Sequence, residues 1–118
     1  MTEAAQRPWP LELRLDAAKT TLTVAFDTGE RFALPAEYLR VESPSAEVQG
    51  HGPSQKQILA GKEAVRIEAL EPIGNYAVRI RFDDGHDTGL FSWDYLLELG
   101  REHREKWAAY LKAAGRAK

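Results

Sequence analysis

Apolar and polar residues alternate along this chain in short runs. Leu11-Glu12-Leu13-Arg14-Leu15 alternates, Thr21-Leu22-Thr23-Val24-Ala25-Phe26 does so again, and each run predicts a half-buried strand. Asp27-Thr28-Gly29-Glu30 reads as a turn and Arg31-Phe32-Ala33-Leu34 as the next strand; Pro35 then suits the start of a short helix carrying Tyr38 and Leu39. Farther on, Val65 to Leu70 alternates and Glu71-Pro72-Ile73-Gly74 turns. Val78-Arg79-Ile80-Arg81-Phe82 returns with its apolar residues inward and both arginines outward. Asp84-Gly85 supplies the positive φ of a tight reversal, and a strand through Leu90 follows. Ser92 caps a helix whose first turn holds Asp94. Gly100 is expected to interrupt that helix. A second helix is expected from about Arg101 to Ala114, with Trp107, Tyr110, Leu111 and Ala114 at the spacing of a buried stripe and His103 in solvent.

The pattern repeats. Val24-Ala25-Phe26-Asp27-Thr28-Gly29, followed by Tyr38-Leu39, parallels Ile80-Arg81-Phe82-Asp83-Asp84-Gly85, followed by Tyr95-Leu96. The expectation is an α+β fold: one domain rich in antiparallel sheet, built from two strand-turn-strand-short-helix units, with a C-terminal helix. Residues 1–10 read as a flexible tail and 11–115 as the domain. Trp9, held between two prolines, either docks on the domain as an apolar plug or offers a partner an anchor. The connection from Val41 to Ser54 is long, rich in Ser, Gly and Pro, and sets His51 between glycines; such a loop is either functional or a plain linker.

With 118 residues the chain fits one domain, and 16 basic against 18 acidic residues leave no basic stripe for nucleic acid. The lack of cysteine removes disulfides, thiolate metal sites and thiol nucleophiles. Neither a signal peptide nor an apolar run of the ~20 residues that span a bilayer is evident, so a membrane partner is not expected and cytoplasmic is the default. No Gly-x-Ser-x-Gly elbow or phosphate-cradling glycine motif occurs, and adjacent His86-Asp87 lacks the His-x-Asp/Glu spacing of a mononuclear iron site. No catalytic residue is therefore nominated. What remains is a hairpin holding Asp83, Asp84, Asp87 and His86. Its plain reading is a solvated, turn-rich loop. Its sharper reading is a weak oxygen and nitrogen metal site formed with His51, should the long loop fold over it.

Leu39 to Gly52 and Gly74 to Leu96, above all Asp84-Gly85-His86 with Ser92-Trp93-Asp94-Tyr95-Leu96, resemble the N-terminal domain of gamma-butyrobetaine hydroxylase and its small stand-alone bacterial equivalents of unknown function. The resemblance covers about Leu11 to Gly100. In the hydroxylases this domain precedes a separate catalytic domain that uses iron and 2-oxoglutarate, and it carries a structural zinc held by three cysteines and one histidine. The resemblance sets Ser43, Ser45 and Val48 where the thiolates stand and His86 at the histidine, so that zinc site is expected to be absent. Hydroxylase activity is not expected to carry over, since these stretches match the N-terminal domain alone. Related domains are also fused to iron–sulfur carrier ATPases of the Mrp type.

The resemblance thus implies a non-catalytic accessory or protein-interaction domain linked to iron or iron–sulfur metabolism, with no cofactor expected. Its surface toward a protein partner would comprise the loop from Ser43 to Gly52 with the hairpin from Asp83 to Thr88, which carries Asp83, Asp84 and Asp87, and Trp93. The alternative is a small metal-binding protein using His51 and His86 for weak zinc or iron. Exposed strand edges leave a homodimer open.

Overall fold

The structure, a computed structural model, describes residues 8–49 and 58–116. Strands β1 (Pro10–Leu15), β2 (Thr21–Phe26) and β3 (Arg31–Pro35) form one antiparallel sheet in the order β1-β2-β3 and lead into helix α1 (Ala36–Val41). After the one-turn helix α2 (Ala46–Gln49), the pattern recurs. Strands β4 (Ile67–Ile73), β5 (Ala77–Phe82) and β6 (Gly89–Ser92) form a second antiparallel sheet in sequence order, followed by α3 (Trp93–Arg101) and α4 (His103–Ala113). The two sheets and their helices share one core. Leu22, Val24 and Phe26 meet Val78, Ile80, Phe82 and Phe91 there, with Tyr38, Leu39, Leu96 and Leu99 from the helices. Each fully buried Leu, Ile or Phe contributes about 1.5–3 kcal/mol relative to an exposed one.

The repeat read from the sequence is a structural one. In both units the hairpin closes on the same bonds: the Phe26 amide donates to the Glu30 carbonyl at 2.8 Å, and the Phe82 amide to that of His86 at 2.9 Å. Gly29 and Gly85 take the same left-handed φ of 93° at equivalent turn positions. Ser92 caps α3 by accepting the Tyr95 amide at 3.1 Å, as its position before the helix requires.

The units also exchange contacts. The Tyr38 hydroxyl of α1 donates to the Leu99 carbonyl near the end of α3 at 2.7 Å, and the Tyr95 hydroxyl of α3 donates to the Glu42 carbonyl at the end of α1 at 2.6 Å. Each tyrosine satisfies a carbonyl that the other helix leaves open at its C-terminus. Burial, followed by nearby Glu42, pushes both phenols above their ordinary pKa, so they remain donors.

Five expectations need correction. Leu11 points outward, 69% exposed, because a bulge between Pro10 and Glu12 shifts the register of β1 and breaks its alternation. The strand expected from Val65 starts at Ile67 and runs to Ile73, through the predicted turn. Gly100 does not interrupt the helix. It lies inside α3, where an added Cβ would sit 2.4 Å from the Phe32 ring, so its role is close approach, and the break falls at Glu102. His103 is not solvated but stacks on Tyr38 with ring centroids 4.3 Å apart, and that burial lowers its pKa. Of the predicted α4 stripe only Tyr110 is fully buried; Trp107, Leu111 and Ala114 are half-buried.

Candidate functional site

The decisive hairpin joins β5 to β6, and its own side chains shape it. Asp84 Oδ1 accepts the His86 amide at 3.1 Å, and Asp83 Oδ1 accepts the Arg66 amide at 3.0 Å. This turn directs the His86 imidazole inward, where it is 5% exposed and lies 6.1 Å from the Phe82 ring. Its Nε2 meets Ser43 Oγ at 2.9 Å. Ser43 Oγ also accepts the Ser45 amide at 3.3 Å, and Ser45 Oγ bonds Thr88 Oγ1 at 2.7 Å. The segment after α1 is thus stitched to the hairpin of the other unit by two hydroxyl contacts. Gln49 Nε2 secures it by donating to the Ser43 carbonyl at 2.8 Å. Gly89 makes the approach feasible, since a Cβ there would fall 2.4 Å from Ser43 Oγ.

Asp84 is equally committed. Its Oδ2 accepts from Lys62 Nζ at 2.7 Å and from Arg40 Nε at 2.8 Å, tying α1 to the hairpin. Partial burial pushes its pKa up, but hydrogen bonds from Lys62, the His86 amide and Arg40 outweigh it and hold the carboxyl at about 2. Asp87 is exposed beside them. The other unit carries a reciprocal clamp: Arg101 at the end of α3 bonds Glu30 of the first hairpin through Nε at 2.8 Å and Nη2 at 2.7 Å, and this bidentate pair lowers Glu30 to about 2.

Ser43, Ser45 and His86, set at zinc positions by the resemblance, do come together around one seam, and Val48 is buried nearby in sequence with its amide on the Ser45 carbonyl. They do not fit a thiolate zinc site. Two are neutral hydroxyls already bonded within the protein, and Val48 offers no donor. Among the described residues, no group of three or more His, Cys, Asp or Glu side chains is placed to hold a metal ion. His51, named as the second metal ligand, lies outside the described residues.

Trp93 stands at the far end of β6 from this hairpin, so the nominated surface divides in two. Its indole Nε1 donates to the Asn75 carbonyl at 2.9 Å, and Trp9 meets its ring edge to face at 6.3 Å. Trp9 is itself seated: its amide donates to Asp27 Oδ1 at 3.1 Å, and its carbonyl accepts the Asp27 amide at 2.9 Å. Trp9 still exposes 46% of its surface. Arg40, Lys62 and Gly89 were not singled out from the sequence, whereas Thr88 fell at the end of the hairpin that was. A basic residue between Leu39 and Val41 on a buried helix face, and a glycine within a strand, were the signals that pointed to Arg40 and Gly89.

Fold and site together define a small α+β domain in which Asp84, His86, Thr88 and Glu30 take part in cross-links between two similar halves. The chain belongs to the family described as gamma-butyrobetaine hydroxylase-like, N-terminal, which matches residues 13–97; the match is to that domain type and not to the catalytic domain. It is similar to a crystallised protein of unknown function of the DUF971 family from Acidithiobacillus ferrooxidans, at 40% identity over 77% of this chain and 91% of that one, with a TM-score of 0.65. One solution NMR structure is 47% identical over 92% of this chain and 88% of that one, with a TM-score of 0.75. Another is 43% identical over 100% of this chain and 90% of that one, with a TM-score of 0.77. No curated protein matches. No helix among the described residues is long and apolar enough to cross a membrane.

Proposed function

We propose that this chain is a non-catalytic accessory domain that acts by binding a protein partner. The observation that carries the reading is the Trp9–Trp93 pair, an edge-to-face aromatic unit anchored to Asp27 and Asn75 with Trp9 left 46% exposed. Rigidly seated, exposed aromatic rings are where interfaces concentrate their energy. Burial of His86 behind Ser43 supports the non-catalytic part, because a substrate cannot reach the imidazole without first parting the two units. Service in iron or iron–sulfur metabolism is the finer part of the proposal, and its support is the sequence resemblance alone.

Affinity capture from extract of the source cells, comparing wild type with W9A, tests the reading. A discrete protein retained in stoichiometric amount by wild type and depleted about tenfold by W9A, whose melting curve should stay close to wild type, is the expected result. Equal retention by both proteins, or none by either, removes it.

A further inference from the structure

Among the described residues the two sheets leave β1, β3, β4 and β6 as edge strands. An edge keeps unspent backbone donors and acceptors, and charges along it commonly hold a second strand away. β4 carries only acids, Glu68 and Glu71, together with Pro72, which lacks a donor. β3 carries one charge, Arg31, and β6 carries none over four residues. Only β1 carries both signs: Glu12 and Arg14 stand one residue to either side of Leu13.

The backbone is open at the same place. Glu12, Leu13 and Arg14 of β1 face Ala25, Val24 and Thr23 of β2, and just beyond them the Asp16 amide donates to the Thr21 carbonyl at 3.2 Å. Antiparallel ladders alternate, so Glu12 and Arg14 spend their backbone groups on β2 while Leu13 and Leu15 turn theirs to the outer edge. The side chains sort the other way. Glu12 and Arg14 share the solvent face, 3.4 Å apart, with Arg31 3.2 Å from Glu12. Leu13 and Leu15 pack against the core yet stay only partly buried.

Such a strand is complementary to itself. An antiparallel copy centred on Leu13 makes the two Leu13 residues a hydrogen-bonded pair and sets each Glu12 directly opposite the Arg14 of the other copy. Centring on Glu12 or Arg14 would oppose like charges and present backbone groups already bonded to β2. Centring on Leu15 would set Arg14 against Asp16, whose carboxylate is committed to the Thr20 and Thr21 amides. The Leu13 register also lays a neighbouring strand along the exposed flanks of Leu13 and Leu15.

We propose that the outer edge of β1 pairs with the same edge of a second copy of this chain, antiparallel and centred on Leu13, making a two-fold dimer with one continuous six-stranded sheet. The inference is independent of the interaction-domain reading, since the dimer needs no other protein. Sedimentation equilibrium of the full chain tests it. Wild type is expected to dimerise with rising concentration, and R14E and E12R each to weaken the dimer about tenfold by setting like charges opposite one another. An equimolar mixture of the two variants should recover it as a heterodimer, because each then supplies the sign the other lacks. Exchange of the Leu13 amide in wild type should slow across the same concentration range. Wild type that stays monomeric at about 1 mM, a dimer indifferent to both reversals, or a mixture no tighter than either variant alone overturns the pairing. The amide measurement needs no variant, and a Leu13 exchange rate independent of concentration overturns the pairing as well.

Discussion

Ser43 and Gly89 share one small space, and the seam between the two units depends on how they divide it. Replacing Ser43 by Ala removes the 2.9 Å contact to the buried His86 imidazole and the 3.3 Å bond to the Ser45 amide. The expected cost is about 1–3 kcal/mol, read from the urea midpoint. An unchanged midpoint would show that the seam contributes nothing. Gly89→Ala forces a methyl toward Ser43 Oγ and Phe91 Cε1, which lie 2.4 and 3.1 Å from the added carbon, and should cost about 1–3 kcal/mol. The double variant S43A/G89A removes the clashing oxygen. Its loss should therefore be smaller than the sum of the two single losses, and strict additivity in the cycle would contradict the shared-space argument.

At the scale of elements, the two units are joined by reciprocal exchange. Tyr38 and Tyr95 each donate to a carbonyl near the end of the other's helix, and Arg40 and Arg101 each clamp a carboxylate on the other's hairpin. The close approaches are reciprocal too. Counting from Tyr38 and Tyr95, Ser43 stands opposite Gly100 in the repeat; counting from Phe26 and Phe82 along the paired strands, Phe32 stands opposite Gly89. One contact sets a large strand residue against a helix glycine, and its counterpart sets a strand glycine against serine. Tyr38→Phe and Tyr95→Phe should each lower stability by about 1 kcal/mol, since each leaves a helix-end carbonyl without its donor. Thermal melts of both variants check this, and an effect confined to one of them would break the reciprocity.

For the whole molecule, the cross-links predict the response to acid and to chelators. Asp84 moves from its ordinary 3.8 to about 2 in the folded chain, and Glu30 from 4.5 to about 2. Carboxyls with depressed pKa contribute fully above their unfolded values; the contribution fades as pH falls from about 4.5 and is gone once pH passes about 2. D84N should therefore be less stable than wild type at pH 7, with the difference shrinking toward pH 2. A constant difference across that window would assign its effect to packing alone. Metal removal should leave the fold intact: prolonged treatment with EDTA is expected to leave Tm unchanged, because hydroxyl and imidazole contacts occupy the seam. A fall in Tm reversed by zinc would contradict that.

The order of the strands, though not the bounds of β4 or the bulge in β1, the tight turn at Gly85, the Ser92 cap and the two-unit repeat were legible in the sequence, because each depends on local periodicity or on one residue's conformational range. Family membership was legible as well, from the Asp84-Gly85-His86 and Ser92 to Leu96 stretches. What the sequence left open was everything set by contact between distant elements. Gly100 looks like a helix breaker until Phe32 is seen against it, and His103 looks solvated until Tyr38 lies beneath it. The turn-rich hairpin read as a cluster of available carboxylates and a histidine. Tertiary structure turned Asp84 toward Arg40 and Lys62 and His86 toward Ser43, because burying polar groups is tolerable only when each finds a partner, and two of those partners, Arg40 and Ser43, come from the other half of the chain.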